Sequence, residues 1–139
     1  MELILKKEIY ADLSSVSDLV VLVIEKLNKL LIDSSIINDI EISIAEAMTN
    51  IVKHAYNYDK NQIIEFFIYK SNNNIIINLL DSAPKAKIDF NKKLDYNPDD
   101  VDSLPEGGMG LFLISKCMTS VSLKRVNDKN ELIMIKSLV

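Results

Sequence analysis

Apolar positions recur at helical steps in the first half of the chain and at alternating steps elsewhere. Leu19, Val20, Val23, Leu27, Leu30 and Leu31 make a wide stripe of helical period, and Asp12 or Ser14 stands where that helix needs a cap. Asp33-Ser34-Ser35 breaks it and caps the next helix, with Asp39 and Glu41 early in that helix, where the dipole favours acid. Over residues 40–56, Ile40, Ile44, Ala47 and Ile51 form a second stripe, while Glu46, Asn50 and Lys53 or His54 share another face. Residues 2–10 alternate loosely and read as an edge strand. Residues 57–61 are a polar turn. Residues 62–69 and 74–81 are strands rich in Ile and Phe, joined by the hairpin turn Ser71-Asn72-Asn73-Asn74. Their centres are apolar at nearly every position, so one face packs under the helices. Leu111, Ile114 and Met118 resume a helical period that ends at Cys117 or Met118. Residues 121–126 and 131–138 are two further strands about the polar turn Asn127-Asp128-Lys129-Asn130. With no internal repeat or boundary, residues 1–139 read as one domain. The fold class is α/β (α+β), a two-layer sandwich whose mostly antiparallel mixed sheet carries its helices on one face.

Composition narrows the function classes. The 139 residues suffice to bury a core. A net charge of −4 with no basic stripe argues against a direct nucleic-acid partner, yet leaves room for a nucleotide held by backbone amides and a metal. The single cysteine, Cys117, makes no internal disulfide and points to a reducing cytoplasm. It lies on the apolar period and reads as core. The longest apolar run, residues 19–24, is far short of a membrane span, and the charged N-terminus does not resemble a signal peptide.

Four features carry chemistry. Glu46 and Asn50 lie one turn apart, so a carboxylate and a neutral carboxamide reach one bound group; the plainer reading is the polar face of an ordinary amphipathic helix. All three glycines fall within Glu106-Gly107-Gly108-Met109-Gly110. Glycine lets backbone approach a phosphate, and a helix N-terminus adds donors and a positive dipole end; a tight turn is the plainer use. Asp81 closes an apolar strand and needs a donor, either an adenine amine or a turn amide from Ala83 or beyond. Residues 84–105 are charged, hold few core residues and read as a lid or a solvated linker. His54, the only histidine, reads as a satisfied structural residue before a proton carrier. Tyr56 reads as packing at the helix end, and Lys53 as solvated.

Glu46-x-x-x-Asn50-x-x-x-His54-Ala55-Tyr56, then Asp81, then Glu106-Gly107-Gly108-Met109-Gly110-Leu111-Phe112-Leu113-Ile114 resembles the GHKL ATPase superfamily, with its Bergerat fold. Within it the chain is similar to the small bacterial anti-sigma factors that are serine kinases. The resemblance implies ATP and Mg²⁺ as cofactors. It implies Glu46 as catalytic base, Asn50 as Mg²⁺ ligand, Asp81 as acceptor for the adenine amine, and residues 84–106 as the lid. The implied ATP-binding set is Asn50, His54, Asp81, Ala83, Gly107, Gly108, Met109, Gly110 and Leu111. The implied partners are an anti-sigma factor antagonist as substrate, a sigma factor, and a second copy of the chain, for which the first strand offers a free edge. The family's middle motif has glycine two residues after the aspartate. Here Asp81-Ser82-Ala83-Pro84 puts alanine there, which needs negative φ unless strain is borne elsewhere. The family's threonine on the last strand has no counterpart in residues 131–135. These departures motivate a second reading, a nucleotide-gated interaction module with weak or no phosphoryl transfer.

Overall fold

The computed structural model describes residues 1–84 and 108–139, with residues 108–111 described by backbone alone. The described elements run β1 Glu2–Tyr10, α1 Leu13–Lys29, α2 Ser34–Asn50, a π-helical turn Ile51–Ala55, β2 Ile63–Ser71, β3 Asn74–Asp81, α3 Gly108–Cys117, β4 Ser120–Val126 and β5 Lys129–Ser137. The five strands form one sheet in the order β1-β2-β3-β5-β4, and all four ladders are antiparallel. The two-layer arrangement and the antiparallel sheet are as expected, and among the described residues every ladder is antiparallel, because the neighbours are two hairpins laid side by side with β1 added at the edge.

The helices start where side chains satisfy their free amides. Asp12 accepts from the Ser15 amide at 2.7 Å, and Asp33 accepts from the Ser35 amide at 2.8 Å. Asp39 lies beyond the first turn of α2 and pairs with Lys136 of β5 at 2.8 Å instead of serving the dipole. The same Lys136 Nζ caps α3 by donating to the Cys117 carbonyl. The α1 stripe stops short. Val16, Leu19, Val23 and Leu27 are buried, whereas Leu30 is exposed and Leu31 is 91% exposed at φ 58°. The helix ends before Leu31, whose left-handed backbone turns the chain out.

Ile40, Ile44, Ala47 and Ile51 are all buried, as their spacing predicts. They pack on Ile64, Phe66, Ile68, Ile75, Ile77, Leu79 and Met134, the alternate residues of the sheet's inner face. Each such aliphatic side chain contributes roughly 1.5–3 kcal/mol on leaving water. Asn127 (φ 50°) and Asp128 (φ 63°) make a two-residue hairpin turn of the primed type. The turn is therefore two residues shorter than the polar run predicts, and Lys129 and Asn130 belong to β5.

Candidate functional site

The site is assembled around the end of β3. Asp81 is 7% exposed. Its Oδ1 accepts the Ala83 amide at 3.0 Å and the Asn130 Nδ2 at 2.9 Å; Oδ2 receives no donor from the described residues. The turn-amide reading of Asp81 is thus met at Oδ1. Burial pushes the carboxyl above its usual range, opposed by the Asn130 and Ala83 hydrogen bonds and by the Arg125 charge.

Ala83 is itself buried, and it is not among the residues of positive φ. Alanine fits without left-handed strain, so the motif's departure from glycine does not disturb this turn. Its carbonyl accepts from Arg125 Nη1 at 2.8 Å and from Asn130 Nδ2 at 3.3 Å. Asn130 Nδ2 also reaches the Pro84 carbonyl at 3.1 Å, and Asn130 Oδ1 accepts from Arg125 Nη1 at 3.1 Å. One buried carboxamide and one arginine thus fix the Asp81–Pro84 turn from β5 and β4. Sequence reasoning missed both residues. Asn130 looked like turn, and only the two-residue length of the primed turn, with Asn and Asp at its left-handed positions, would have returned it to the strand opposite Asp81.

Tyr56 connects this turn to α2. It is buried at the end of the π-helical turn, as its position suggested, and its hydroxyl has two bonds. It accepts from the Ser82 amide at 2.7 Å and donates to the Ile63 carbonyl at 2.9 Å. Burial raises the phenol above its ordinary value, the Ser82 hydrogen bonds acting against it. So the residue after Asp81 is tied to the segment that leaves the Glu46/Asn50 helix. Single π turns recur at functional sites, and this one directly follows Asn50.

Glu46 and Asn50 are partly exposed on α2, and no described residue hydrogen-bonds to either side chain. Among the described residues no three His, Cys, Asp or Glu side chains gather closely enough to hold a metal. A Mg²⁺ that keeps most of its waters needs few protein ligands, and the unengaged Asn50 oxygen fits that demand. His54 is exposed, and no described group satisfies its ring. Lys53 is partly buried rather than fully solvated. Cys117 is partly buried, and burial pushes its thiol up, with the Asp39 carboxylate adding to this; that suits a packed thiol, not a nucleophile. Gly108, Met109, Gly110 and Leu111 form the first turns of α3, which packs against α2. Gly107, Glu106 and the residue 84–105 lid, apart from Pro84, lie outside the described residues.

The frame is thus an antiparallel sheet under helices, with a buried carboxylate at the end of β3, α2 carrying Glu46 and Asn50, and a glycine-led α3 packed on α2. Residues 9–136 match the histidine kinase-like ATPase domain family, and the chain belongs to it. The chain is 40% identical over 93 residues to the serine-protein kinase RsbW of Bacillus thuringiensis, covering 63% of this chain and 56% of that one. It is 38% identical over 93 residues to the serine-protein kinase RsbW of Halalkalibacterium halodurans, covering 63% and 55%. The matched region thus spans about half the length of these curated relatives. Two solved structures share the fold. The RsbU and RsbW domains of Rv1364c from Mycobacterium tuberculosis superpose with TM-score 0.66 at 15% identity, covering 96% of this chain and 31% of that one. The SiaB-SiaC complex from Pseudomonas aeruginosa gives TM-score 0.64 at 12% identity, covering 97% and 90%. Among the described residues no helix is long and apolar enough to cross a membrane.

Proposed function

We propose that this chain is an ATP-dependent protein-serine kinase that acts in the cytoplasm as an anti-sigma factor. It phosphorylates an anti-sigma factor antagonist, sequesters a sigma factor, and works as a homodimer. The main support is the division of labour at Asp81: Oδ1 is saturated from within the chain, and Oδ2 remains to accept the amine of an adenine. The names of the RsbW relatives supply the serine.

Asn50 would hold Mg²⁺, and the ion would supply neutralisation of phosphate charge. The backbone of residues 108–111, at the start of α3, would line the phosphates, where the helix dipole favours them, and Gly107 is assigned to the same set by its motif alone. Ala83 and His54 flank the nucleotide. Glu46 takes the proton of the attacking serine hydroxyl as its oxygen bonds to the γ-phosphorus and the bond to the bridging oxygen breaks, releasing ADP. Positioning and charge neutralisation supply most of the acceleration in such transfers. Incubation with labelled ATP, Mg²⁺ and the antagonist should place phosphate on serine, and Glu46→Gln should slow transfer by about 10²–10⁴-fold while ATP still binds. Transfer undiminished by Glu46→Gln, or absent with the true antagonist, contradicts the reading.

A further inference from the structure

Lys136 stands where the strand pattern calls for an apolar residue. It continues the inner-face series of β5 after Leu132 and Met134, opposite the fully buried Ile75. Its side chain is only 16% exposed. A lysine in that place loses hydration and needs partners. Its Nζ has two, one on each of two helices: the Asp39 carboxylate of α2 at 2.8 Å, and the Cys117 carbonyl at the end of α3. The Cys117 thiol lies against the same carboxylate, and the buried Ser43 hydroxyl donates to the Asp39 carbonyl at 2.8 Å. Just past α3, the Thr119 amide donates to the Ile135 carbonyl at 2.8 Å, and Thr119 Oγ1 accepts from the Ser137 amide at 2.8 Å. One cation thus joins β5, α2 and α3. A largely buried ion pair seldom stabilises a fold more than apolar packing in the same place, so what this pair adds is geometry.

We propose that Lys136 is a positioning residue for the phosphate side of the nucleotide site, acting from the opposite end of the two helices. The inference rests on the ATP reading above and adds to it what aims α3. From Asp39 to Asn50, α2 climbs about 16 Å, and from Cys117 back to Gly108, α3 climbs about 14 Å. The two helices pack together, and only residues 34–38 of α2 precede Asp39, too few to flank α3. So α3 runs back beside α2, and its glycine-led start comes level with Glu46 and Asn50. In turn α2 heads for the Asp81 end of the sheet, since Tyr56 just beyond it accepts from the Ser82 amide. Gly108 and Gly110 are poor helix formers, so the first turn of α3 takes its direction from the rest of the helix. That rest is held by Ile114 and Met118 in the core and by Lys136 at the Cys117 carbonyl. Apolar contacts are non-directional and allow a small pivot. Pivoting at Cys117 swings the far end of α3 through the largest displacement, and a shift of ~1 Å at reacting groups can cost ~10²-fold in rate. The two Lys136 bonds oppose that pivot.

Titration calorimetry on the full chain, with Mg-ATP and with adenosine, tests this. Adenosine carries no phosphate and reports the Asp81 end alone. Lys136→Met keeps the aliphatic stem and removes both bonds. It should weaken Mg-ATP at least tenfold while adenosine affinity stays within about twofold of wild type. A lysine that only stabilised the fold would move both ligands together or neither. Asp39→Ala changes the more exposed end of the clamp to a good helix former, so it decides the matter should Lys136→Met not fold. It also separates the clamp from plain charge. Removing an acid would tighten binding of anionic Mg-ATP through the field, whereas losing the clamp should weaken it several-fold. Both substitutions break one device, so the double variant should bind Mg-ATP within about twofold of Lys136→Met alone. Unchanged Mg-ATP affinity in folded Lys136→Met, equal losses for the two ligands, or tighter Mg-ATP binding by Asp39→Ala overturns the proposal. A wild type that binds no Mg-ATP overturns the ATP reading and this inference with it. A wild type that binds it, with every variant alike, overturns the inference only.

Discussion

Burial raises the Asp81 carboxyl above its ordinary range although two hydrogen bonds and Arg125 favour its charge. Between the unfolded and the folded value, the folded chain therefore holds a proton that the unfolded chain has released. Asp81 contributes most below the unfolded carboxyl's range, and that contribution is lost as pH rises through the folded value. Asp81→Asn keeps an oxygen for Ala83 and Asn130 and removes the buried charge. It should leave the protein as stable as wild type or more so at neutral pH, and remove this part of the acid-side slope in thermal melts. Its Nδ2 replaces the free Oδ2 and cannot accept an amine, so ATP affinity should fall about 10- to 100-fold, the worth of one hydrogen bond to a charged group. Asn130→Ala tests the support. It strips one donor from Asp81 and one acceptor from Arg125, and should lower stability by about 1–3 kcal/mol in urea titrations along with ATP affinity. Asp81 was legible because a lone carboxylate closing an Ile- and Leu-rich strand is anomalous in itself. Asn130 and Arg125 were not, because their importance lies in facing Asp81 and its turn across strands distant in sequence.

Among the elements, β1 and β3 begin and end where alternation places them, and the α2 stripe is buried at every predicted position. Apolar period reports burial directly, so it carries this much. What it does not carry is how elements stop. Leu30 and Leu31 continue the α1 stripe in sequence but not in space, since the helix has already ended. The π turn after Asn50 has no sequence mark, and it delivers Tyr56 to the Ser82 amide and the Ile63 carbonyl. Tyr56→Phe keeps the packing and loses both bonds. It should cost about 1 kcal/mol in stability, with ATP binding weakened a few-fold because the Asp81 turn is no longer tied to α2. Unchanged binding in that variant would show that the other contacts of the turn suffice to hold it.

At the scale of the whole molecule, one sheet has two unlike faces. Its inner face builds the core from every second residue of the central strands, and the end of β3 on that face carries Asp81. Its outer face is apolar beyond what a solvated surface requires, with the Oδ1 of a partly exposed Asn78 buried at its centre. Fold class and the order of the motifs were readable because the alternation and the Glu46/Asn50, Asp81 and glycine segments each stand in short stretches of chain. The open face was not, since a strand apolar on both faces looks the same whether a helix or a second sheet covers it. The nucleotide site remains the claim on which the function depends. Titration calorimetry of Mg-ATP into wild type, Asn50→Ala and Asp81→Asn tests it most directly. Saturable binding by wild type, weakened at least tenfold in both variants while both stay folded, is the predicted result. Absence of binding heat in wild type, or equal affinity in all three, contradicts it.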